Sequence, residues 1–306
     1  MNITVVGPGA VGLLFAARLA QAGASVTLLD HRPERAALME REGVLLEDEG
    51  GQVRLALAAT ADPAAGLAGA ELALVCVKAY HTEAVARTLA GHLPAGARAL
   101  TLQNGMGNVE ALVAALGEGR VLGGITSEGA TLLGPGRVRH AGRSQTHLGP
   151  VAGPVDALTR RVAAMFAKAG FSVDTAEGVG NLIWTKLVIN VGLNALTAIL
   201  GVANGRLLKL PAALALMGRA VDEALAVGGA MEVRFLYADM REAVRQVAAR
   251  SETNLSSMLQ DVRARRRTEV EFINGAVARQ GRRLEVPTPV NQTLCELVLA
   301  LEQDYA

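Results

Sequence analysis

A chain of 306 residues is long enough for two domains, and a formal net charge of +1 at pH 7 argues against a general attraction to nucleic acid or to an anionic membrane. Hydrophobic residues form 51% of the sequence, which is ample for a core, while the two cysteines, Cys76 and Cys295, are too few for a disulfide framework. The N-terminus starts as a strand with no basic leader, and no apolar run reads as long enough to cross a bilayer. We therefore expect a cytoplasmic globular protein that binds no membrane.

The start of the chain has the pattern of a dinucleotide-binding unit. An apolar strand leads into a glycine-rich turn, a helical pattern follows, and a second strand ends at Asp30. In such a unit Gly7 makes the turn, Gly9 lets a pyrophosphate approach the backbone, and Gly12 allows close packing of helix and strand. The pyrophosphate is expected on the amides of the turn, which is formed by Gly7, Pro8, Gly9, Ala10, Val11 and Gly12.

The residues after the second strand give conflicting signals about the cofactor. Asp30 stands where a carboxylate binds the ribose hydroxyls of NAD. His31, Arg32 and Arg35 follow, and they could instead bind the 2′-phosphate of NADP or simply form a solvated helix start. The residues alone leave both cofactors open.

Two later strands end in polar residues at the edge where an open α/β sheet binds its ligands. The apolar strand ELALVCV ends at Lys78, and the strand ALTLQ ends at Asn104. Both residues are candidates for contacts with a ribose or a nicotinamide. A surface lysine and an ordinary Asn-Gly turn are the alternatives.

The rest of the first half predicts a sheet with additions. One hairpin is expected around residues 49–51, and GRVRHAG and SQTHLGP read as a second, antiparallel hairpin that carries His140 and His147 as surface residues. A helix and a final strand then lead to Gly178 and Gly180, which break the pattern. A domain boundary is therefore predicted between residues 177 and 178.

The second half reads as helical throughout, and its first helix carries a polar stripe. In WTKLVINVGLNALTAI, Lys186, Asn190 and Asn194 follow one another at intervals of four residues, and Thr197 falls on the same side. The other faces are apolar. Either the stripe meets solvent, or Lys186 is an acid or base flanked by amides that orient a small polar ligand.

A second helical stripe is read through Asn254, Ser257 and Asp261, with Glu269 further along the same face. Glu269 could neutralise Lys186 if the two helices pack together, and the alternative is a set of caps and exposed positions. The arginines that follow Asp261 read as a solvated face rather than a nucleic-acid patch. No cluster of His, Cys or carboxylates has ligand spacing, so no metal is expected.

The segments GPGAVG, VCVKAY, LQNGMG, KLVINVGLNALTAI, NGRL and NLSSMLQDVRARRRTEVEFINGAV together resemble the ketopantoate reductase (2-dehydropantoate 2-reductase) family over essentially the full chain. The resemblance implies an α/β fold, with an N-terminal Rossmann domain (1–177), an all-α C-terminal domain (178–306) and an active site in the interdomain cleft. It implies the NADPH-dependent reduction of ketopantoate to (R)-pantoate on the route to pantothenate and coenzyme A.

The resemblance also carries residue roles. Lys186 matches the catalytic lysine of the family and Glu269 its acidic partner, while Lys78 and Asn104 match cofactor-side positions. The positions that match substrate contacts are Asn190, Asn194, Asn204, Asn254 and Ser257. Family members often place an arginine directly after the second strand, whereas here Asp30 and His31 precede Arg32. NADP is the predicted cofactor, and NAD is the alternative because of Asp30.

Two other functions are weighed against this one. The first is a reductase of the same architecture that acts on a different 2-keto or 3-hydroxy acid, since pocket size decides between close substrates. The second is a non-catalytic dinucleotide sensor, against which the pair of Lys186 and Glu269 argues. The expected partner is a small 2-keto acid and not a nucleic acid, and a homodimer is left open.

Overall fold

The computed structural model describes residues 1–305 and divides the chain into two compact units. The first unit comprises residues 1–103 and 108–179. The second begins at Gly180 and runs to the C-terminus, and it also includes the short loop 104–107. Each unit has a hydrophobic core of its own. An α/β first unit followed by a helical second unit confirms the predicted fold class.

The first unit consists of strands and helices that alternate along most of its length. Short 3-10 turns occur at Ala79–His81 and Glu118–Arg120. The regular elements are β1 (Asn2–Val6), α1 (Ala10–Gln21), β2 (Ser25–Leu29), α2 (Pro33–Glu42), β3 (Val44–Asp48), β4 (Gly51–Leu55), β5 (Ala58–Thr60), α3 (Pro63–Leu67), β6 (Leu72–Val75), α4 (Thr82–His92), β7 (Arg98–Thr101), α5 (Asn108–Leu116), β8 (Val121–Thr126), β9 (Gly129–Gly134), β10 (Arg137–Gly142), β11 (Gln145–Pro150), α6 (Ala157–Lys168) and β12 (Ser172–Thr175).

Eight of these strands form one sheet, in the order β12-β11-β8-β7-β6-β1-β2-β5. All of its pairs are parallel except β8 with β11. The strand β6 reads LALV and is buried at every position, as expected for a parallel strand covered on both faces. The parallel arrangement brings the carboxyl ends of β1, β2, β6 and β7 to one edge, which is where such sheets bind ligands.

The other four strands form a separate sheet, in the order β4-β3-β10-β9, and its pairing corrects one prediction. The hairpin of β3 and β4 around residues 49–51 is present. The predicted hairpin of β10 with β11 is wrong, because β10 pairs with β9 and β3, whereas β11 pairs with β8 and β12 in the large sheet. Local alternation identified both strands, but it carries no information about which partner each strand takes.

His140 is not the surface residue that the sequence predicted. Its imidazole is 3% exposed, and its Nε2 lies 2.6 Å from the carboxylate of Glu128, which is itself 2% exposed. The Nδ1 atom lies 3.4 Å from a guanidinium nitrogen of Arg18, which also pairs with Asp48. A buried histidine requires partners of this kind, and Glu128 and Arg18 are far from it in sequence.

The second unit is helical throughout the residues described. Short 3-10 turns occur at Asn204–Lys209 and Val270–Phe272. The helices are α7 (Gly180–Leu200), α8 (Pro211–Ala230), α9 (Met240–Arg250), α10 (Ser257–Arg263), α11 (Asn274–Arg283) and α12 (Pro289–Gln303). The core is built around α7, which packs closely on its neighbours: a Cβ on Gly192 would lie 2.7 Å from Val244.

Helix α7 also corrects the expectation that no apolar run is long enough to cross a bilayer. Its 21 residues have a mean hydropathy of 1.5 and meet that requirement by length and composition. However, 72% of its most apolar stretch is buried within the protein. Its apolar character is accounted for by its place at the centre of a helical core.

The predicted continuous helix through Asn254 and Glu269 is broken. Ser256 caps α10 by accepting a hydrogen bond from the N–H of Leu259, so Asn254 precedes the helix. The helix ends at Arg263, and Arg265 adopts a left-handed conformation with φ +50°. Glu269 therefore lies on an irregular segment before the 3-10 turn at Val270, and its position depends on tertiary contacts rather than on helical spacing.

Candidate active site

The glycine-rich turn has the geometry that its sequence predicts. It connects β1 to α1, and Gly7 has φ +86°, a conformation that favours glycine. A Cβ on Gly12 would lie 2.6 Å from the carbonyl oxygen of Gly7, so only glycine allows this close packing. A Cβ on Gly9, in contrast, would meet no atom within 4 Å. The space beside the Cα of Gly9 is therefore open at the N-terminus of α1, and a helix N-terminus suits an anion.

The carboxylate of Asp30 is buried at the end of β2. It is 2% exposed, and its Oδ1 accepts a hydrogen bond of 3.0 Å from the N–H of Arg32. Its Oδ2 forms an ion pair at 3.1 Å with Nε of Arg35, whose terminal nitrogen donates to the carbonyl of Pro8. Arg35 thus joins the end of β2 to the glycine-rich turn and offsets the charge of Asp30. The side chains of His31 and Arg32 remain exposed, and the Nε of Arg32 lies 3.3 Å from Nε2 of His31.

Lys78 follows β6 and is held in a loop that a neighbouring glutamine organises. The amide nitrogen of Gln103 donates to the carbonyl of Val77 at 2.6 Å and to the hydroxyl of Thr82 at 2.9 Å. The hydroxyl of Thr82 donates in turn to the side chain of Asn108 at 2.7 Å. These polar contacts connect the carboxyl ends of β6 and β7. Sequence reasoning missed Gln103, although it directly precedes Asn104.

Asn104 lies on the loop that joins the second unit. The N–H of Met106 donates to the carbonyl of Phe272 at 2.9 Å, and Met106 is buried in the helical core. Gly105 has φ +81°, and a Cβ there would lie 2.5 Å from the same carbonyl. The close approach therefore requires glycine. The loop of Asn104 is fixed to the turn that follows Glu269.

Lys186 and Glu269 interact within the second unit. Burial lowers the pKa of Lys186 to about 8, and the Glu269 carboxylate acts in the opposite direction. Glu269 is 7% exposed. The charge of Glu269 therefore favours the ammonium form of a lysine that desolvation would otherwise neutralise. The interaction predicted from the two polar stripes is present, although Glu269 does not lie on a helix.

The other polar residues of α7 share the side of Lys186. Asn190 is half-buried and Asn194 is buried. The hydroxyl of Thr197 lies 2.7 Å from that of Ser256, which caps α10, and this contact ties the two helices together. Ser257 and Asn254 are exposed, at the first turn of α10 and just before it.

Asn204 is buried, and its Oδ1 accepts no hydrogen bond from the described residues. It is 8% exposed, and its amide nitrogen donates to the hydroxyl of Ser251 at 3.0 Å. Its backbone N–H donates to the carbonyl of Asn254, also at 3.0 Å. Asn204 therefore fixes the segment that leads into α10 and so positions Asn254. Within the described residues, no group of three or more His, Cys, Asp or Glu side chains could hold a metal ion.

The family models for this chain name one enzyme family. Residues 3–153 match the model described as ketopantoate reductase PanE/ApbA, and residues 179–302 match its C-terminal counterpart. The chain is 38% identical to the 2-dehydropantoate 2-reductase of Halobacterium salinarum, over 99% of this chain and 100% of that one. It is 35% identical to the enzyme of the same name from Vibrio cholerae, over 100% and 99%.

Solved structures give the same result for the fold. A PanE/ApbA family ketopantoate reductase from Ralstonia eutropha superposes with a TM-score of 0.92 at 33% identity, over 100% of this chain and 99% of that one. A D-mandelate dehydrogenase, solved with NADH and anilino(oxo)acetate, superposes with a TM-score of 0.93 at 25% identity, over the same shares. Because family models and relatives cover nearly the whole length, the chain belongs to the ketopantoate reductase family of oxidoreductases.

Proposed function

We propose that the protein reduces 2-dehydropantoate to (R)-pantoate with NADPH, on the route to pantothenate and coenzyme A, and that Lys186 donates the proton. Relatives named 2-dehydropantoate 2-reductase over the full chain support the reaction. The observation that carries the mechanism is the half-buried Lys186, whose charge is opposed by desolvation and supported by Glu269. A cytoplasmic location is part of the proposal.

A lysine with a pKa of about 8 suits this proton transfer. A general acid works best when its pKa lies near the working pH, because a large fraction of it is then protonated and the proton is also readily transferred. When a hydride reaches the keto carbon, the carbonyl π bond breaks and its oxygen becomes an alkoxide. The ammonium group of Lys186 stabilises this negative charge and supplies the proton, which leaves a neutral amine. Water then restores the ammonium form.

The first unit has the groups to hold the dinucleotide, which supplies the hydride when it is bound. The open space beside Gly9 and the amides at the start of α1 fit a pyrophosphate. Lys78 and Asn104, at the ends of β6 and β7, are proposed to contact the nicotinamide half.

The geometry around Asp30 supports NADPH over NADH. The carboxylate of Asp30 is 2% exposed; its Oδ1 accepts from the N–H of Arg32, and its Oδ2 is ion-paired with Arg35 but accepts no hydrogen bond from the described residues. It therefore neither reaches a ribose hydroxyl nor strongly repels a phosphate. The exposed guanidinium of Arg32 stands at the end of β2 and suits a 2′-phosphate, which it can bind with two hydrogen bonds.

The polar groups of the second unit are suited to the substrate. We assign the carboxylate and hydroxyl of the 2-keto acid to the amides of Asn190 and Asn194, the side chain of Asn254 and the hydroxyl of Ser257. The role of Asn204 in this proposal is indirect, since its amide nitrogen is bonded to Ser251 and its backbone to Asn254.

The test is the oxidation of NADPH by the purified protein with ketopantoate as substrate. We expect turnover that depends on ketopantoate and that Lys186→Ala reduces by about a hundredfold or more, while NADPH binding persists. The D-mandelate dehydrogenase likeness makes an aryl 2-keto acid the rival substrate. A higher kcat/KM with phenylglyoxylate and NADH than with ketopantoate and NADPH would replace the proposed reaction by that one.

A further inference from the structure

The last helix of the second unit holds the residue that precedes Glu269. Glu302, near the end of α12, accepts two hydrogen bonds through one carboxylate oxygen: from the backbone N–H of Thr268 at 2.8 Å and from the Thr268 hydroxyl at 2.6 Å. Thr268 is 3% exposed, so water competes little for these bonds. Since the bonds fix both its backbone and its side chain, Thr268 has little freedom to move.

The same hydroxyl also constrains the residue beyond Glu269. The N–H of Val270 donates to Oγ1 of Thr268 at 3.2 Å, so the two neighbours of Glu269 are joined by a hydrogen bond. The N–H of Phe272 donates to the carbonyl of Glu269 at 2.9 Å and begins the 3-10 turn. The pair of hydrogen bonds with Glu302 therefore anchors to α12 the short segment that carries Glu269.

We propose that Glu302 is a positioning residue for Glu269 and acts through Thr268. It deepens the proposed function and rests on the roles given there to Lys186 and Glu269. If the hydrogen bonds between Glu302 and Thr268 are removed, the segment can shift, and the Glu269 carboxylate is no longer held at a fixed position relative to Lys186. Helix α12, which carries none of the sequence motifs of the site, thus influences the pKa of Lys186 through the position of Glu269.

Other charged groups lie around this segment and have to be separated from the effect. Arg266 pairs with Asp261, and Arg267 pairs with Glu271, whose carbonyl also accepts from Arg279. The charge of Glu302 raises the pKa of Tyr305, and Arg265 opposes it. The charges of Glu302 and Glu296 both raise the pKa of Cys295. The carboxylate that acts on Lys186 is that of Glu269. An effect of Glu302 on Lys186 is therefore expected to travel through the position of Glu269 and not through its own charge.

The experiment measures the upper limb of the pH profile of kcat in full-length variants with saturating NADPH and ketopantoate. Glu302→Ala removes the acceptor, whereas Glu302→Gln keeps an acceptor oxygen without the charge. Thr268→Val keeps the shape and the backbone bond but removes the hydroxyl. Glu296→Ala is the matched control on the same helix, because its carboxylate accepts a hydrogen bond from the side chain of Gln292 on an exposed face.

We expect Glu302→Ala to move the limb to lower pH by about half a unit to one unit, since a displaced carboxylate supports the ammonium less. This shift lowers kcat at about pH 8 roughly two- to fivefold and leaves kcat at about pH 6 nearly unchanged. Glu302→Gln and Glu296→Ala should keep the limb at its wild-type position. Thr268→Val should shift it in the same direction, and its effect should not add to that of Glu302→Ala, because both break one connection.

The proposal is overturned if folded Glu302→Ala keeps the wild-type limb, if Glu302→Gln moves it as far as Glu302→Ala, or if activity falls equally at every pH. Should Glu302→Ala fail to fold, Thr268→Val decides, and an unmoved limb refutes the proposal. A ¹³C NMR titration of Lys186 without turnover gives a second readout. If Lys186→Ala retains turnover, the proton-donor role in the proposed function fails. If Lys186→Ala removes the limb but Glu302→Ala leaves it at its wild-type pH, only the positioning role is refuted.

Discussion

Replacing Glu269 with glutamine removes the negative charge that supports the ammonium form of Lys186. The pKa of Lys186 is about 8 with the carboxylate in place, because desolvation lowers it and Glu269 raises it. Without that charge only desolvation remains, and the loss of a nearby opposite charge shifts a pKa by roughly one to three units. The glutamine variant should therefore hold Lys186 neutral at a pH where the wild type keeps it charged.

The expected size of the effect follows from the titration curve. With a pKa of about 8, roughly nine tenths of the wild-type lysine is charged at pH 7. A shift of about one to two units would leave roughly a half to a tenth of it charged, so kcat at pH 7 should fall about two- to tenfold. Toward acidic pH the variant should recover, because the ammonium form returns.

The assay is steady-state oxidation of NADPH across the pH range, with ketopantoate saturating at each pH. The wild-type profile should decline about tenfold per pH unit above its limb near pH 8, and the variant limb should lie at lower pH. Glu271→Gln is a matched control, since Glu271 is paired with Arg267 on the neighbouring turn. A Glu269→Gln limb at the wild-type position, or a loss equal at all pH values, would refute the reasoning.

Four further predictions follow from the same structure. Lys186→Met should raise the free energy of unfolding at pH 7 by up to about 3 kcal/mol, because the folded-state pKa of about 8 lies below the ordinary 10.5. The difference in the free energy of unfolding between the variant and the wild type should shrink as the pH rises from about 8 to 10.5, because the unfolded wild-type chain binds more protons than the folded one in this range. Chemical denaturation of both proteins at several pH values checks this. Arg32→Ala should lower kcat/KM for NADPH about tenfold or more and leave that for NADH nearly unchanged, and equal losses with both cofactors would contradict the assignment. Arg35→Met should lower the free energy of unfolding by about 2 kcal/mol, since the buried Asp30 loses its ion pair, and an unchanged denaturation midpoint would show that the pair is not needed. Ser257→Ala should raise KM for ketopantoate more than it lowers kcat, and an unchanged KM would place Ser257 outside the site.

The features that depend on local pattern could be read from the sequence, and those that depend on distant contacts could not. The glycine-rich turn and the stripe of Lys186 and Asn190 follow from short spacings within one element. The sequence predicted a helix for the segment of Glu269, because the residues adjacent in sequence give no sign of the contact between Thr268 and Glu302, which lie 34 residues apart.

The same distinction explains most of the other errors. The pairing of β10 with β3 and the burial of His140 against Arg18 are set by tertiary packing, whereas the pairing of β10 with β9 is a local hairpin that the sequence analysis missed. The inward position of Asp30 also required the structure, because it rests on an arginine that reaches back to the glycine-rich turn.

The loop of Asn104 has a consequence for anyone who would exchange parts of this protein with a relative. The chain enters the second unit at residue 104, leaves it after 107 and returns at 180, so that unit is not a contiguous gene segment. A chimera joined only at residue 180 would unite the Met106 side chain of one parent with the helical core and the Phe272 carbonyl of the other. Recombination at that single point should therefore succeed only between parents that share the 104–107 loop and its receiving turn, and a functional hybrid of dissimilar parents needs the loop and the helices to be transplanted together.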